Sequence, residues 1–304
     1  MGEFAQRITS QYPLRYKRQE KENMRTYLIG QSRSLGYDAK LQSVSGGTNV
    51  VVGDPESAKL VFIAHYDTGL RELLPQFLCP TRPLTYLLYQ ALTPVVVMLG
   101  SFLISFAVSF PLNMPRLMLP LFLILIVGAL FYLRYGPGEK RTNNDNSSGV
   151  AALLEVMEGL TPRYRNSVAF AFLDAGSTQR GARGLRKAYP SLREKTVINL
   201  DCVGCGDEIL ILPSKYSRWN GDLLDAINES FENTEKKTCF DKVDGLVYFP
   251  SDNRTFRYSV SICACEQAPG FGRFVRQHTA RAIDAENLRI LREGLVKVIM
   301  RLAG

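Results

Sequence analysis

Histidine is scarce in this chain, because only His65 and His278 occur among its 304 residues. Charged residues make up 22% against 46% hydrophobic residues, and 37 lysines and arginines against 29 aspartates and glutamates give a net charge of +8. This balance excludes a disordered chain, a collagen and a disulfide-rich miniprotein. The length fits one large domain, or one domain with a small appendage, and permits a core of ordinary size.

Residues 1–40 lack an apolar stretch, because eight basic and four acidic residues are spread along them. We therefore expect no signal peptide there. No DNA- or RNA-binding motif accompanies the positive charge, so nucleic acid is not a predicted partner. The six cysteines include one Cys-x-x-Cys pair, Cys202 and Cys205. The pair is compatible with a metal or redox site, but no second pair accompanies it, and we predict reduced, structural thiols.

Two long segments carry no charge at all. Thirty-three uncharged residues separate Arg82 from Arg116, and 17 more separate Arg116 from Arg134. A membrane-spanning helix needs about 20 apolar residues, with a lower limit of about 17. Prolines and polar residues between positions 111 and 116 break the helical pattern. The sequence therefore predicts a helical hairpin that crosses the membrane twice. The alternative is a helical pair buried in a soluble core, although such helices rarely lack a polar face.

Two crossings return the chain to its starting side, and the basic residues concentrate on that side. The far side shows only Arg116, whereas the flanks carry Arg71, Arg82, Arg134, Lys140 and Arg141. The positive-inside rule then predicts a two-pass membrane protein with a cytoplasmic main domain formed by residues 1–68 and 136–304. The hairpin with its linkers occupies residues 69–135 and contacts membrane lipid. The excess positive charge suits an anionic inner leaflet, with a solvated basic face as the alternative.

Outside the hairpin, short apolar runs alternate with segments of helical spacing. The runs occupy residues 48–52, 59–64, 167–173 and 196–200, and the helical segments occupy 149–160 and 285–302. Continuous apolar strands that alternate with helices are typical of a buried, mainly parallel α/β sheet. Polar residues directly follow several of the runs. They should lie at the carboxyl ends of the strands, where open α/β sheets bind ligands.

Four polar segments offer side chains that bind metals. They are His65-Tyr66-Asp67, the segment 144–149, Asn199-Leu200-Asp201, and Gln277-His278-Thr279. Neutral imidazole nitrogen and carboxylate oxygen are good ligands for zinc. One carboxylate can bridge two metals through its two oxygens, and the aspartate of a His-x-Asp pair can orient the imidazole from behind. The segments together predict a zinc site.

With these motifs the chain resembles the M28 family of zinc aminopeptidases over nearly its whole length apart from the inserted hairpin. The matching motifs are His65-x-Asp67, Asp145-Asn146-x-Ser148-Gly149, Asn199-Leu200-Asp201-x-x-Gly204, Ser251-Asp252 followed by Phe256, and His278-Thr279. The resemblance implies a mixed α/β sheet with helices on both faces. The hairpin then counts as an insertion in the loop that follows the first ligand-bearing strand.

The resemblance also implies one or two zinc ions and a role for each ligand. His65 and Asp201 would hold one ion, Asp145 would bridge, and His278 would hold the second. Asp67 would orient His65. Both histidines of the chain thereby fall at ligand positions of the family.

The chain departs from the family at a pair of adjacent glutamates, of which the first is a general base and the second a ligand of the second metal. Thr178 stands at the base position and Gln179 at the ligand position. Threonine cannot take a proton from water near neutral pH, and general-base catalysis contributes about 10²–10⁴-fold. Gln179 offers a neutral carbonyl oxygen, a poorer zinc ligand than carboxylate. Asp174 and Glu266 are the nearest substitute carboxylates in sequence, although we expect structural roles for both.

Three functions follow from these residues. The first is a membrane-anchored, aminopeptidase-like zinc metallopeptidase whose activity is weak because Thr178 replaces the base. The second is a catalytically silent pseudoenzyme that binds a peptide or protein, as nicastrin-like and transferrin-receptor-like relatives do. The third is an acyl-transfer enzyme resembling the glutaminyl cyclases, which also require an acidic pair. The retained ligands favour the first function, and the pair Thr178-Gln179 favours the second.

Overall fold

The computed structural model describes residues 2–270 and 272–303. Its helices are α1 (Glu3–Gln11), α2 (Arg18–Ser34), α3 (Pro83–Ser109), α4 (Met118–Tyr135), α5 (Gly149–Gly159), α6 (Arg180–Ala188), α7 (Gly221–Asn228) and α8 (Ala285–Ala303). Its strands are β1 (Ala39–Val44), β2 (Gly47–Val52), β3 (Leu60–His65), β4 (Phe77–Leu78), β5 (Val168–Leu173), β6 (Thr196–Leu200), β7 (Glu208–Pro213), β8 (Thr238–Asp241), β9 (Ser259–Ala268) and β10 (Gly272–Arg276). The four predicted strands and both predicted helices outside the hairpin are confirmed.

The strands form one mixed sheet in the order β1-β2-β5-β3-β6-β9-β10-β4, and β7 and β8 branch from β9. The central strands β5, β3, β6 and β9 run parallel to one another. The flanking strands β1 and β2 on one side, and β10 and β4 on the other, pair antiparallel. The α/β fold is therefore confirmed, with parallel pairing at the centre of the sheet and in the outlying pair β7–β8.

Helices cover both faces of the sheet, as predicted, because the central strands are apolar on both sides. Residues of α1, α2, α5, α7 and α8 form the larger core with one face, and residues of α6 form a smaller core with the other. Phe62 and Phe170 stack in the larger core with ring centroids 5.5 Å apart. Fully burying an aromatic or aliphatic side chain of this size contributes about 1.5–3 kcal/mol.

The hairpin helices are long, apolar and largely uncovered. The two candidate spans are Pro83–Ser109 with 27 residues and Pro115–Tyr135 with 21 residues. Only 11% of the most apolar window of the first, and 0% of the second, is buried by the rest of the chain. The structure therefore does not bury the pair in a soluble core. Both helices are long enough to cross a membrane.

A short antiparallel neck, residues 69–71 and 137–139, joins the hairpin to the sheet domain. Leu70 and Gly138 form a β-bridge, and backbone hydrogen bonds of 2.8 Å and 3.0 Å flank it. Within the predicted insert 69–135, β4 pairs with β10. The first linker of the insert is therefore part of the sheet.

Candidate metal centre

Two predicted ligands lie where neighbouring parallel strands end. His65 is the last residue of β3, and Asp201 directly follows β6. The two strands are adjacent, with Ile63 paired to Asn199, so both side chains emerge at the same edge of the sheet. Asp145 reaches this edge from the irregular segment that precedes α5.

The side chain of Asn146 anchors the segment that carries Asp145. Its Nδ2 donates to the Leu200 carbonyl over 2.9 Å, and its Oδ1 accepts from the backbone N–H of Gly149 over 3.1 Å. Glycine is required at position 149, because a Cβ there would lie 2.4 Å from both Asn146 Oδ1 and the Leu200 oxygen. The local motif therefore fixes Asp145 beside His65 by tying its neighbours to the end of β6.

Three ligand atoms converge at this edge. His65 Nε2 lies 3.0 Å from Asp145 Oδ1 and 3.8 Å from Asp201 Oδ1, and one donor atom of each residue lies within 4.8 Å of the others. Asp201 Oδ1 is buried and has no hydrogen-bond partner, so a cation would satisfy an otherwise orphaned acceptor. One imidazole and two carboxylates fit a zinc ion and leave a coordination position for water or substrate.

Asp67 lies behind His65. Its Oδ1 is 3.6 Å from His65 Nδ1 and accepts a 2.9 Å hydrogen bond from the Gly176 N–H, and Lys21 Nζ is 3.7 Å from its Oδ2. Burial alone would raise the pKa of Asp67, yet His65, Lys21 and the Gly176 N–H hold that pKa below its ordinary value. The backbone carbonyl of Asp67 lies 3.3 Å from His65 Nδ1. Together with the ionised carboxylate it favours the tautomer with the proton on Nδ1, which leaves the Nε2 lone pair for a metal.

The charged neighbours in this centre shift the pKa values of its imidazole and carboxyl groups. Burial would lower the pKa of His65, but its acidic neighbours, Asp145 first, outweigh burial and raise that pKa well above its ordinary value. Burial would raise the pKa of Asp145, but His65, His278 and the fully buried Arg15 lower it to about 2. The centre therefore attracts cations, and a proton competes with a metal for His65.

Ser251 connects the metal centre to the position of Gln179. Its Oγ donates to Asp201 Oδ2 over 2.5 Å and accepts from Asn199 Nδ2 over 2.8 Å. Its backbone carbonyl accepts from the side-chain amide of Gln179 over 3.1 Å. The structure brings Gln179, at φ +55°, to Ser251 and does not place it among the residues that line the cavity. Its predicted role as a ligand stays a prediction.

His278 and Thr178 both line the cavity that contains the ligands. The Nδ1 atom of His278 is buried and has no hydrogen-bond partner, so it is available to a second ion. Thr178 is exposed at the rim, and its hydroxyl donates to the Ala175 carbonyl over 3.1 Å. The hydroxyl therefore satisfies the backbone of its own turn and contributes no base.

Asp252 is a functional candidate that sequence reasoning quoted in a motif without giving it a role. It lines the cavity, is 1% exposed, and neither carboxylate oxygen has a hydrogen-bond partner. Burial, together with the charges of Asp67, Asp201 and Asp145, outweighs the charge of His65 and raises the pKa of Asp252 to about 7. A carboxyl group with this pKa can accept and release a proton near neutral pH.

The other carboxylates considered from sequence have structural partners. Asp174 accepts from Lys21 Nζ over 2.5 Å and from the Tyr66 hydroxyl over 3.0 Å. Glu266 pairs with Arg281 over 2.8 Å and with Arg276 over 3.5 Å. Neither lines the cavity, which agrees with the structural roles expected of them.

All six cysteines are free thiols. Burial raises the pKa of Cys202 well above its ordinary value and that of Cys205 to about 11. Both groups therefore stay protonated near neutral pH, which disfavours the thiolate that a metal or redox site requires.

The cavity around the ligands has a volume of about 560 Å³, a size typical of small-ligand sites. The sheet domain forms the wall of this cavity that carries His65, Asp145 and Asp201. The insert supplies another wall through residues 69–72 and through Leu133 and Arg134 at the end of α4. The insert therefore forms part of the cavity wall.

Residues 134–280 match the family model of Peptidase family M28. The matched segment begins at the end of α4 and contains Asp145, Asp201 and His278, whereas His65 lies before the insert. No curated protein matches the chain.

Solved structures share the fold over almost the whole chain. The LapA aminopeptidase of Legionella pneumophila has a TM-score of 0.57 at 12% identity and covers 99% of this chain and 70% of its own. A Zn-dependent exopeptidase from Parabacteroides distasonis has a TM-score of 0.56 at 14% identity, and the match covers 97% of this chain and 94% of the exopeptidase. A glutaminyl cyclase from Bacteroides thetaiotaomicron, bound to N-acetylhistamine, has a TM-score of 0.54 at 15% identity, and the match covers 97% of this chain and 94% of the cyclase. At these identities the likeness shows the fold alone. The family match and the shared fold confirm the resemblance predicted from the motifs, and the chain is similar to the peptidases of family M28.

Proposed function

We propose that this chain is a membrane-anchored, zinc-dependent metallopeptidase that hydrolyses peptides in the manner of an aminopeptidase. The observation that carries the proposal is the convergence of His65, Asp145 and Asp201 within 4.8 Å in one cavity. The match of residues 134–280 to Peptidase family M28 supports it. The similarity to a glutaminyl cyclase concerns the fold alone, so it favours neither peptide hydrolysis nor acyl transfer.

His65, Asp145 and Asp201 would hold the first zinc ion, and Asp145 with His278 would hold a second. When bound, zinc supplies Lewis-acid polarisation of the scissile carbonyl and activation of water. The chain itself fixes the donors, because the backbone carbonyl of Asp67 contacts His65 Nδ1 over 3.3 Å and the Ser251 hydroxyl donates to Asp201 Oδ2.

Proton transfer falls to Asp252 in this proposal. Thr178 cannot act as the base, whereas Asp252 lines the cavity and neither oxygen of its buried carboxyl group has a hydrogen-bond partner. A carboxyl group in this position can take a proton from water and return it to the leaving amine. Activity below that of a peptidase with its glutamate pair is expected, because the carboxyl oxygens of Asp252 are buried and less accessible to water.

The hairpin anchors the enzyme in the membrane as a two-pass segment, with lipid as its partner and the peptidase-like domain in the cytoplasm. The length and exposure of the two helices support the anchoring. Sidedness rests on the basic residues at the domain end of the hairpin, against Arg116 alone at its tip.

A second candidate function is a silent peptidase-like domain that binds a peptide or protein. One observation favours it, because the amide of Gln179 is engaged by the Ser251 carbonyl and does not line the cavity. A second metal would then lack the ligand that the family resemblance implies at this position.

Metal analysis of the full chain, purified in detergent, tests the proposal. The parent should carry zinc, and His65→Ala should lose most of it, because the residue contributes the only imidazole of the first site. Gln179→Ala is the matched control and should change zinc content little. Hydrolysis of aminoacyl substrates, measured on the same samples, should follow zinc content.

Two results would count against the metallopeptidase. A metal-free parent that binds peptides without cleaving them would favour the silent domain. Equal zinc loss from His65→Ala and Gln179→Ala would contradict the ranking of the two sites.

A further inference from the structure

A second cavity of about 890 Å³ is lined by basic residues and by no acidic residue. Its five cationic side chains are Arg186, Lys215, Arg218, Arg254 and Arg257. Across the described ranges 2–270 and 272–303, none of the five forms an ion pair within 4.0 Å. Five unpaired cations around one cavity make it a place of positive potential, which attracts anions.

Aromatic rings and backbone carbonyls hold several of these guanidinium groups in place. Arg254 lies 5.1 Å from the ring of Tyr248, and Arg257 lies 4.4 Å from the ring of Tyr216. Arg218 donates to a backbone carbonyl over 3.3 Å, while its buried Nε has no hydrogen-bond partner. Guanidinium groups held in place in this way are suited to phosphate, which they can bind in a bidentate manner.

The wall of this basic cavity contacts the start of the first candidate span. The Tyr248 ring lies 5.6 Å from the ring of Tyr86 in the first turn of α3. The Tyr248 N–H donates over 3.0 Å to the carbonyl of Pro80, which precedes the helix. At about 1.5 Å per residue α3 is about 40 Å long, whereas the hydrocarbon core is about 30 Å thick. The first turn of α3 therefore lies at the level of the lipid headgroups.

Large apolar side chains are exposed at the basic cavity and at a depression that shares a residue with it. Leu246 lines the basic cavity and is 75% exposed, and Trp219 is 87% exposed. Trp219 borders a smaller depression together with Tyr216, which also lines the basic cavity. Tryptophan and tyrosine favour the membrane interface, where an apolar ring and a polar edge are both satisfied.

We propose that the basic cavity binds the phosphate-bearing headgroup of an anionic phospholipid and so holds the sheet domain against the membrane surface. The proposal rests on the proposed anchoring through the hairpin. The contact is non-covalent, consists of ion pairs and hydrogen bonds to the arginines, and weakens as salt screens it. The cytoplasmic leaflet supplies anionic lipid on the side where the domain is placed.

The single tryptophan, Trp219, provides a native fluorescence signal for the test. The full chain, in micelles of a zwitterionic detergent, is titrated separately with dihexanoyl phosphatidylglycerol, dihexanoyl phosphatidylcholine and inorganic phosphate. The double variant Arg254→Gln with Arg257→Gln removes two charges from the cavity. The matched control, Arg163→Gln with Arg193→Gln, removes two exposed charges that do not line it.

We expect a saturable, salt-sensitive response to phosphatidylglycerol that weakens by at least about tenfold in the cavity variant and stays unchanged in the control. Phosphatidylcholine should give no comparable response. Equal affinities of the two lipids, or equal losses in the two variants, would overturn the proposal. Inorganic phosphate binding as tightly as the lipid would overturn the lipid assignment.

The titration needs neither zinc nor a membrane-spanning orientation. A headgroup response from a chain whose hairpin proves not to span would therefore refute the proposed anchoring and leave the binding site in place. A spanning hairpin without the response would refute the site alone.

Discussion

At the rim of the metal centre, two neutral side chains stand where the family resemblance expects carboxylates. We predict that Thr178→Glu combined with Gln179→Glu increases hydrolysis of aminoacyl substrates over the parent. The gain should be smaller than the factor of about 10²–10⁴, or about 3–5 kcal/mol of barrier, that a full general base contributes, because Asp252 already supplies part of it. The second change also removes the amide that donates to the Ser251 carbonyl, so the new carboxylate is expected to turn towards the cavity. Initial rates measured with zinc-loaded protein check this.

Thr178→Gln is the control for that experiment, because it matches glutamate in shape without offering a base. It should leave the rate at the parental level. A double variant that binds two zinc ions yet stays inert would show that the cavity itself has been remodelled for binding. A parent already as fast as an ordinary aminopeptidase would show that another carboxylate supplies the base in full.

Asp252 makes the stability of the metal-free protein depend on pH. Its folded pKa of about 7 lies above the ordinary aspartate value of 3.8, so the folded state binds the proton more tightly than the unfolded state. This contribution to stability is complete below about pH 4 and is lost as the pH rises through 7. About three pKa units set its ceiling at about 4 kcal/mol.

Asp252→Asn should therefore stabilise the metal-free protein increasingly from pH 5 to pH 8, as measured by denaturant unfolding. Asp244→Asn is the control, because Asp244 is exposed and should give a curve parallel to the parent. Parallel curves for Asp252→Asn and the parent would show that Asp252 is ionised in the folded state throughout this range.

At the scale of elements, the hairpin makes the sharpest prediction. An engineered cysteine at Lys40→Cys, on exposed β1, should react with an impermeant maleimide from the cytoplasmic side. One at Asn113→Cys, in the turn between the spans, should react only from the opposite side. Basic residues flank the domain end of the hairpin, and translocating them is unfavourable. Labelling in right-side-out and inverted membrane vesicles measures this.

Cys239 must be replaced by serine in both variants, because it is the one native cysteine that is not buried. Reaction of Lys40→Cys and Asn113→Cys from the same side would refute the two-pass topology. Reaction of Lys40→Cys only from the outside and of Asn113→Cys only from the cytoplasmic side would reverse the sidedness and keep the spans.

Strands that form a local apolar pattern could be predicted from the sequence, whereas strands that depend on contacts with distant residues could not. Strands β3, β5 and β6 are buried on both faces, so each consists mainly of apolar residues and is visible in the sequence. Strand β4 has only two residues and exists because it pairs with β10, which lies about two hundred residues later in the chain. No local pattern in the sequence encodes such a pairing. The neck, which also joins two distant segments, cannot be predicted for the same reason.

For the molecule as a whole, the cluster of candidate metal ligands could be predicted from the sequence, whereas the pKa of the buried carboxyl group beside it could not. His65, Asp145 and Asp201 stand in local motifs at strand ends, and the sheet brings them together. The raised pKa of Asp252 has no local signature, because it depends on burial and on carboxylates from three other segments. The placement of Gln179 depends likewise on a single hydrogen bond to a distant carbonyl.

The neck couples the hairpin to the cavity that contains His65, Asp145 and Asp201. Residues 69–72 are at once the base of the hairpin and a wall of that cavity, so a change of hairpin tilt would move the wall. A span longer than the hydrocarbon core tilts more in a thin membrane than in a thick one. If the hairpin spans the membrane as proposed, the width of the cavity mouth would therefore vary with bilayer thickness, without any ligand.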